Sequence, residues 1–129
     1  MPPKRRKKPA GREKALLMAR AALQKKPLDP LLLEVGAFCS FADYFLILSG
    51  SSTRQTQALA DHIEGALSKL GFRCRGREGE ETGQWILLDY DDVIIHIFYE
   101  AARAFYDLEG LWLEAPRLPL SAEPLKGKD

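Results

Sequence analysis

The sequence predicts an α/β fold in which helices flank a mixed β-sheet. Tyr44 to Leu48 is a continuous apolar run, which is typical of a strand covered on both faces. The segment that begins at Ser52 carries apolar residues at helical spacing. Trp85 to Tyr90 and Val93 to Phe98 are two apolar runs separated by two aspartates, the pattern of a tight hairpin. Strands interleaved with helices in this way indicate one sheet packed against helices.

Two elements are predicted before the central strand. Glu13 to Lys26 has its apolar residues on one helical face, and Pro27 ends this helix. Leu31 to Val35 is a short apolar run and predicts a strand. Gly36 to Ala42 is then the loop that leads to the central strand.

The helix after the central strand is the best-defined element. Ser52 and Gln55 have the spacing of a capping box, so the helix is predicted to begin there. Gly71 stands where a left-handed residue commonly ends a helix, and Phe72 is placed to pack back on Leu67.

The chain beyond this helix alternates between loop, strand and helix. Phe72 to Gly76 predicts a further strand, and Arg77 to Gln84 predicts a polar loop before the hairpin. After the hairpin, Ala101 to Leu113 predicts a helix. Its apolar side is expected to consist of Phe105, Leu108, Leu111 and Trp112.

Charge is divided unevenly along the chain. Residues 1–14 hold seven basic side chains and one acidic one, a net +6, whereas residues 15–129 hold 12 basic and 17 acidic ones, a net −5. We therefore predict a disordered basic tail at residues 1–12, a folded domain at 13–115 and a disordered, proline-containing tail at 116–129. An acidic body repels phosphate and favours a basic protein as partner, while the basic tail alone could contact nucleic acid.

Length and composition exclude several protein classes. A chain of 129 residues fits one domain. Because no run approaches the roughly 20 apolar residues that cross a bilayer, and no apolar segment follows the basic start, neither a membrane span nor a secretory signal is expected. Cys39 and Cys74 lack metal-ligand spacing and are typical of reduced thiols in a cytosolic protein.

Catalytic and metal-binding interpretations find little support in the sequence. His62 and His96 lack an accompanying nucleophile and orienting acid, and His96 is expected to be structural, its ring bonded to a backbone carbonyl or a carboxylate. Asp89, Asp91 and Asp92 could hold a divalent cation. A hairpin turn explains Asp91 and Asp92 more simply, because aspartate tolerates turn conformations.

The segment from Ser49 to Ser52 lies between a strand and a helix N-terminus, where backbone amides can bind phosphate. It is similar to the Gly-Ser element of nucleotidyltransferases, in which an Asp-x-Asp pair nearby carries two metals. Here the next acidic residue, Asp61, stands alone in mid-helix. The sequence therefore favours a related scaffold without the catalytic carboxylates over an enzyme.

The loop from Glu78 to Trp85 sets an aromatic residue beside glycines and carboxylates. Tryptophan is enriched among interface hot spots, so Trp85 could anchor a basic protein surface. It could equally open a strand and pack in the core, and the residues alone leave both interpretations open. Arg103 and Glu109 are expected to lie on a solvated or lightly paired helix surface.

Three segments of the chain together carry a family resemblance. Residues 42–55 are Ala-Asp-Tyr-Phe-Leu-Ile-Leu-Ser-Gly-Ser-Ser-Thr-Arg-Gln, residues 85–98 are Trp-Ile-Leu-Leu-Asp-Tyr-Asp-Asp-Val-Ile-Ile-His-Ile-Phe, and residues 103–112 are Arg-Ala-Phe-Tyr-Asp-Leu-Glu-Gly-Leu-Trp. In this order and spacing they resemble the ribosome silencing factor family, also called Iojap-like. The resemblance runs from about Ala15 to Ala115.

The resemblance implies a nucleotidyltransferase-like α/β fold that lacks the enzymatic carboxylates and has no catalytic, metal or cofactor site. It also implies a cytoplasmic protein that binds the large ribosomal subunit through its ribosomal protein fourteen. Bound there, the protein would block association with the small subunit and so repress translation under nutrient limitation. A ribosomal RNA contact by the basic tail and a homodimer through the sheet or the C-terminal helix are further expectations.

We expect the partner to contact the hairpin and the loop before it, because an acidic surface around a tryptophan complements a basic ribosomal protein. Two other functions stay open: a nucleotidyltransferase-like enzyme with a displaced metal site, and an RNA-binding module that acts through the basic tail. The candidate contact residues are Glu78, Glu80, Trp85, Asp89, Tyr90, Asp91 and His96.

Overall fold

The computed structural model describes residues 11–120, which form a six-stranded sheet with helices on both faces. The predictions for residues 1–10 and 121–129 lie outside this range. In chain order the elements are α1 (Gly11–Leu23), β1 (Leu28–Glu34), β2 (Tyr44–Gly50), α2 (Thr53–Lys69), β3 (Gly76–Glu78), β4 (Trp85–Tyr90), β5 (Val93–Tyr99), α3 (Glu100–Tyr106), α4 (Leu108–Leu111) and β6 (Arg117–Leu118).

The sheet is mixed, with strand order β3-β4-β5-β2-β1-β6. β2 and β5 pair in parallel at its centre, and the other neighbouring strands pair antiparallel. Every residue of β2 is buried, as its unbroken apolar run predicts for a strand covered on both faces. The predicted mixed α/β class, the central strand and the hairpin of β4 and β5 are confirmed.

The two faces of the sheet bury different kinds of side chain. One face packs aliphatic residues of the central strands against α1 and α2, and we call it the aliphatic face. The opposite face is covered in part by α3 and α4 and is rich in aromatic side chains. We call it the aromatic face, and it contains Phe45, Trp85, His96 and Phe98 of the sheet together with Trp112.

The start and end of α2 follow the predicted signals. Ser52 Oγ accepts a hydrogen bond from the Gln55 amide at 3.0 Å. The Gln55 side chain returns to the amide of Ser51 at 2.6 Å, which completes the cap one residue earlier than in the usual capping box. Gly71 has φ +92°, and the Phe72 amide donates to Leu67 O at 2.9 Å, so the left-handed C-terminus is confirmed.

The strand predicted at Phe72 to Gly76 is shifted along the chain. Phe72 is buried in the core of the aliphatic face, so it continues the end of α2 rather than joining the sheet. Pairing begins where the Arg75 amide donates to Asp89 O at 2.7 Å, and β3 therefore takes the first two residues of the predicted polar loop, Arg77 and Glu78.

The single helix predicted from Ala101 to Leu113 is wrong. Asp107 adopts φ +48°, a left-handed conformation that ends α3 and separates it from α4. The change of direction buries Leu108 but leaves Phe105 and Leu111 exposed. The expected single apolar side therefore does not exist, because a continuous helical face requires a continuous helix.

The folded part of the chain extends at both ends beyond the predicted domain of residues 13–115. At the N-terminus, Gly11 and Arg12 belong to the first turn of α1. At the C-terminus, Arg117 and Leu118 pair with β1 as β6, and Pro116 O accepts from the Glu34 amide at 2.8 Å. Backbone pairing with β1 thus orders part of a segment whose prolines had indicated a tail.

Candidate functional site

Trp85 and His96 lie side by side on the aromatic face. Trp85 Nε1 donates a hydrogen bond to His96 Nδ1 at 3.1 Å, so the histidine accepts from an indole rather than bonding the carbonyl or carboxylate that we expected. His96 is only 4% exposed, and burial lowers its pKa to about 3, which keeps the ring neutral. Because Nδ1 accepts, the proton is on Nε2, and that atom has no hydrogen-bond partner among residues 11–120.

The sequence left open whether the indole of Trp85 packs in the core or is accessible to a partner, and the structure shows features of both. The indole packs against the rings of Phe98 and Tyr106, with centroid distances of 4.8 Å and 5.0 Å. It is nevertheless only partly buried. The side chain is therefore held in a fixed orientation by its neighbours while part of it stays accessible to a partner.

The loop between β3 and β4 sets the position of Trp85. Its glycines are required by geometry: Gly79 has φ +83° and a Cβ there would overlap the carbonyl oxygen of Trp85, whereas a Cβ on Gly83 would lie 2.8 Å from Thr53 O. The Thr56 hydroxyl lies 2.6 Å from the carbonyl oxygen of Gly83 and can donate to it. The approach of Gly83 to Thr53 and Thr56 holds the loop against the start of α2.

The acidic candidates fall in two separate places. Glu78 pairs with Leu87 across the strands and therefore faces the aromatic side, as does Asp89, which lies two residues farther along β4. Glu80 points elsewhere, because its carboxylate pairs with Arg77. Arg77 also binds carboxylates of α2 on the aliphatic side of the sheet. Glu80 is thus engaged within the protein and is not part of the surface around Trp85.

The hairpin turn is built from the three aspartates that could have held a cation. Asp91 has φ +75°, and its amide donates to Asp89 Oδ1 at 2.8 Å, as in an Asx turn. Asp92 accepts from Lys14 Nζ at 2.5 Å, which ties α1 to the hairpin. The turn interpretation is confirmed, and among residues 11–120 there is no group of three or more potential ligands that could hold a metal ion.

Tyr90 is not available as a contact residue. It is 2% exposed and belongs to the core of the aliphatic face, the side of the sheet opposite Trp85. Burial raises the pKa of its hydroxyl above the usual value, which is the expected effect of removing a phenol from water. Trp85 and Tyr90 lie on opposite sides of the sheet because side chains alternate along β4. Residues 85, 87 and 89 face one side and residue 90 the other.

The Gly-Ser segment before α2 is used for structure. The side chain of Gln55 and the hydroxyl of Ser52 satisfy amides at this helix start, so the segment is occupied by its own caps rather than open to phosphate. Ser49 Oγ is buried and accepts from Arg103 Nη1 at 2.9 Å. The strand end therefore serves to hold α3 rather than to cradle an anion.

Arg103 and Glu109 pair with each other and are more buried than the sequence indicated. Arg103 Nε donates to Glu109 Oε2 at 2.9 Å, and their side chains are 11% and 23% exposed. The two residues face one another because the chain bends at Asp107, and a continuous helix would not bring them together. Sequence reasoning also missed Tyr106, which packs against Trp85.

Comparison with known proteins identifies the family. The family described as "Ribosomal silencing factor during starvation" matches residues 8–129 of the chain. The chain belongs to this family. The resemblance to ribosome silencing factors that the three sequence segments indicated is thereby confirmed, and the match extends beyond the range from Ala15 to Ala115.

Several curated proteins are similar to this chain in sequence. The chain is 37% identical over 106 residues to "Ribosomal silencing factor RsfS" of Bacillus subtilis, covering 81% of this chain and 90% of that protein. It is 30% identical over 94 residues to the mouse protein "Mitochondrial assembly of ribosomal large subunit protein 1", covering 69% of this chain and 40% of that protein. It is also 30% identical over 106 residues to the maize "Protein Iojap, chloroplastic", covering 82% and 46%.

Two solved structures share the fold of this silencing factor. A crystal structure from Bacillus halodurans superposes with a TM-score of 0.72 at 33% identity, covering 84% of this chain and 99% of that one. One from Chromobacterium violaceum superposes with a TM-score of 0.75 at 30% identity, covering 91% and 98%.

Within residues 11–120, none of the helices is both long and apolar enough to cross a membrane.

Proposed function

We propose that this protein binds the large ribosomal subunit through ribosomal protein fourteen and sterically blocks association with the small subunit. The proposal is supported by membership of the silencing factor family and by a mouse relative named for assembly of the ribosomal large subunit. Binding would repress translation under nutrient limitation, and it would take place in the cytoplasm, where the subunits join. No chemical step is needed, because inhibition follows from occupancy of a surface.

The observation that carries this proposal is the half-exposed indole of Trp85. The ring is oriented by Phe98, Tyr106 and His96, so little side-chain entropy is lost when a partner covers it. Glu78 and Asp89 lie on the same side of the sheet and supply negative charge at its edge. An aromatic anchor with an acidic rim complements a basic protein surface.

Of the seven contact residues that the sequence nominated, the proposed surface keeps four. Glu78, Trp85 and Asp89 face the aromatic side, and Asp91 lies exposed at the hairpin turn beside them. His96 is buried and does not belong to the surface, but its hydrogen bond orients the indole of Trp85.

A sucrose-gradient assay tests the proposal directly. The protein is mixed with purified small and large subunits at a magnesium concentration that favours association, and its position in the gradient is followed. We expect it to sediment with the large subunit and to lower the fraction of joined ribosomes as its concentration rises. Sedimentation at the top of the gradient, with joining unaffected, would rule the proposal out.

The two alternative functions make different predictions. A nucleotidyltransferase-like enzyme would bind nucleotide in the presence of magnesium, and calorimetry with both ligands tests this. An RNA-binding module that acts through the basic tail would lose its affinity for ribosomal RNA, and the salt dependence of that affinity, when residues 1–12 are deleted. Self-association through the sheet or the C-terminal helix stays a prediction that analytical ultracentrifugation of the isolated protein can test.

A further inference from the structure

Four large apolar side chains form a second exposed surface beside the aromatic face. Phe38 and Phe41 come from the loop between β1 and β2, Leu111 ends α4, and Leu113 follows it. Each of these side chains is between 50% and 76% exposed. Phe38 lines a groove together with residues 110–115, which shows that the loop and the α4 segment meet. We call these four residues the α4 patch.

The α4 patch is linked to Trp85 through a row of buried rings. The ring of Phe41 lies 6.2 Å from that of Phe45. Phe45 is buried and contacts His96 and Trp112 edge to face, at 4.7 Å and 5.3 Å between centroids. Since the buried His96 is hydrogen-bonded to Trp85, these rings fix the position of the patch relative to the proposed anchor.

The two segments that supply the patch carry only acidic charges, although Arg12 and Arg103 pair with Glu34 and Glu109 within them. Residues 27–53 and 104–116, which supply all four members, contain six acidic residues and neither lysine nor arginine. Glu109 is paired with Arg103, whereas Asp107 and Glu114 are exposed. A basic partner would gain favourable charge contacts at this rim, and an acidic one would be repelled.

We propose that the α4 patch is the second half of the ribosome-binding surface and that it receives a basic, amphipathic segment of a large-subunit protein. Apolar side chains of that segment cover Leu111 and Leu113, and its lysine or arginine side chains lie near Glu114. The inference rests on the proposed function and deepens it, because it adds a second contact surface and names the kind of segment that this surface receives. Exposed apolar patches of this kind are a common mark of protein contact sites.

The test compares affinities of full-length variants for purified large subunits by titration with a fluorescent label. The double variant Leu111→Ser with Leu113→Ser removes the apolar patch, and Leu70→Ser is its control, since Leu70 is exposed at the end of α2. We expect the double variant to lose about tenfold or more in affinity, the scale of a hot-spot contact, and the control to match the wild type. Glu114→Lys should weaken binding as well, while Glu13→Lys in α1 should not.

The outcomes separate this inference from the proposed function. If the double variant binds as tightly as the wild type while Trp85→Ala binds weakly, the α4 patch is not a contact and the inference fails alone. A variant that loses only self-association, with unchanged affinity for the subunit, overturns it too, because the patch then binds a second copy. If the wild type does not bind large subunits, both proposals fall. Thermal melting of each variant checks that it is folded.

Discussion

Arg103 in α3 and Glu109 in α4 form an ion pair across the bend at Asp107, with 2.9 Å between Nε and Oε2. The Nη1 atom of the same guanidinium donates to Ser49 Oγ at 2.9 Å and to Asp29 O at 2.6 Å. One arginine thus connects α4 with the end of β2 and the start of β1. This connection fixes how the residues after the bend lie on the aromatic face.

The variant Arg103→Met tests this connection. Removing the guanidinium leaves the carboxylate of Glu109 without its partner in a mostly buried position, so we expect the free energy of unfolding to fall by about 2–4 kcal/mol. Urea denaturation at pH 7 measures it. Arg12→Met is the matched control, because Arg12 and Glu34 are 3.8 Å apart and largely exposed, and a surface pair contributes at most about 1 kcal/mol. Equal losses in the free energy of unfolding in the two variants would contradict the role given to Arg103 as the residue that connects α4 with β1 and β2.

The variant Trp85→Ala tests the aromatic anchor. Truncation removes the exposed part of the indole, so binding to the large subunit should weaken by at least about 1–2 kcal/mol while the protein stays folded. Trp85→Phe is the control and should retain most of the affinity, because it preserves an aromatic surface and loses only the N–H. Co-sedimentation with large subunits measures both. Unchanged binding of the alanine variant would exclude Trp85 as an anchor.

The buried imidazole of His96 predicts a pH dependence of stability. Burial lowers its pKa in the folded protein to about 3, whereas an unfolded chain has a pKa of about 6.5. The unfolded state therefore takes up the proton first as the pH falls. The contribution of His96 is fully present above about pH 6.5 and decreases towards pH 3 by up to about 1.4 kcal/mol per pH unit.

Urea denaturation of the wild type and of His96→Asn at pH 7, 5 and 4 measures this contribution. The stability advantage of the wild type should shrink as the pH falls, because asparagine does not titrate. Two stability curves that run parallel over this range would show that His96 is not the group responsible.

The variant Gly79→Ala tests the fixed loop before Trp85. A Cβ at this position meets the carbonyl of Trp85 in a left-handed backbone conformation, so we expect a loss of about 2 kcal/mol or more in the free energy of unfolding. Gly65→Ala is the control: it lies in α2 with open space around it and should stabilise the protein by up to about 1 kcal/mol. A neutral effect of Gly79→Ala would mean that the loop is free to move.

Most of the sheet could be predicted because its signals are local. The apolar run of β2, the cap at Ser52 and the hairpin with Asp91 each depend on residues close together in sequence, and each appears where it was expected. The bend at Asp107 could not be predicted in this way. The residues next to Asp107 give no local signal for its left-handed conformation, and the contacts around the bend include the bond from Arg103 to Asp29 O, which joins residues 74 positions apart.

The proposed contact surface was predictable only in part. The sequence singled out Trp85 and the acidic character of its surroundings, but it grouped Glu80 and Tyr90 with them by proximity along the chain. The structure separates these residues, since Glu80 pairs with Arg77 and Tyr90 points into the aliphatic core. Strand alternation gives the two sides of β4, but which side is covered depends on where α1 and α2 pack.

The sequence by itself determined the α/β class, the order of the elements and the family to which this chain belongs, because these follow from local apolar periodicity and from motifs of fixed spacing. Only the tertiary structure decided which side chains share a surface. It left Trp85 on the aromatic face partly exposed, and it brought Phe38 next to Leu111 and Leu113. The physical reason is that exposure depends on how helices cover a sheet, and that coverage is set by contacts between residues far apart in the chain.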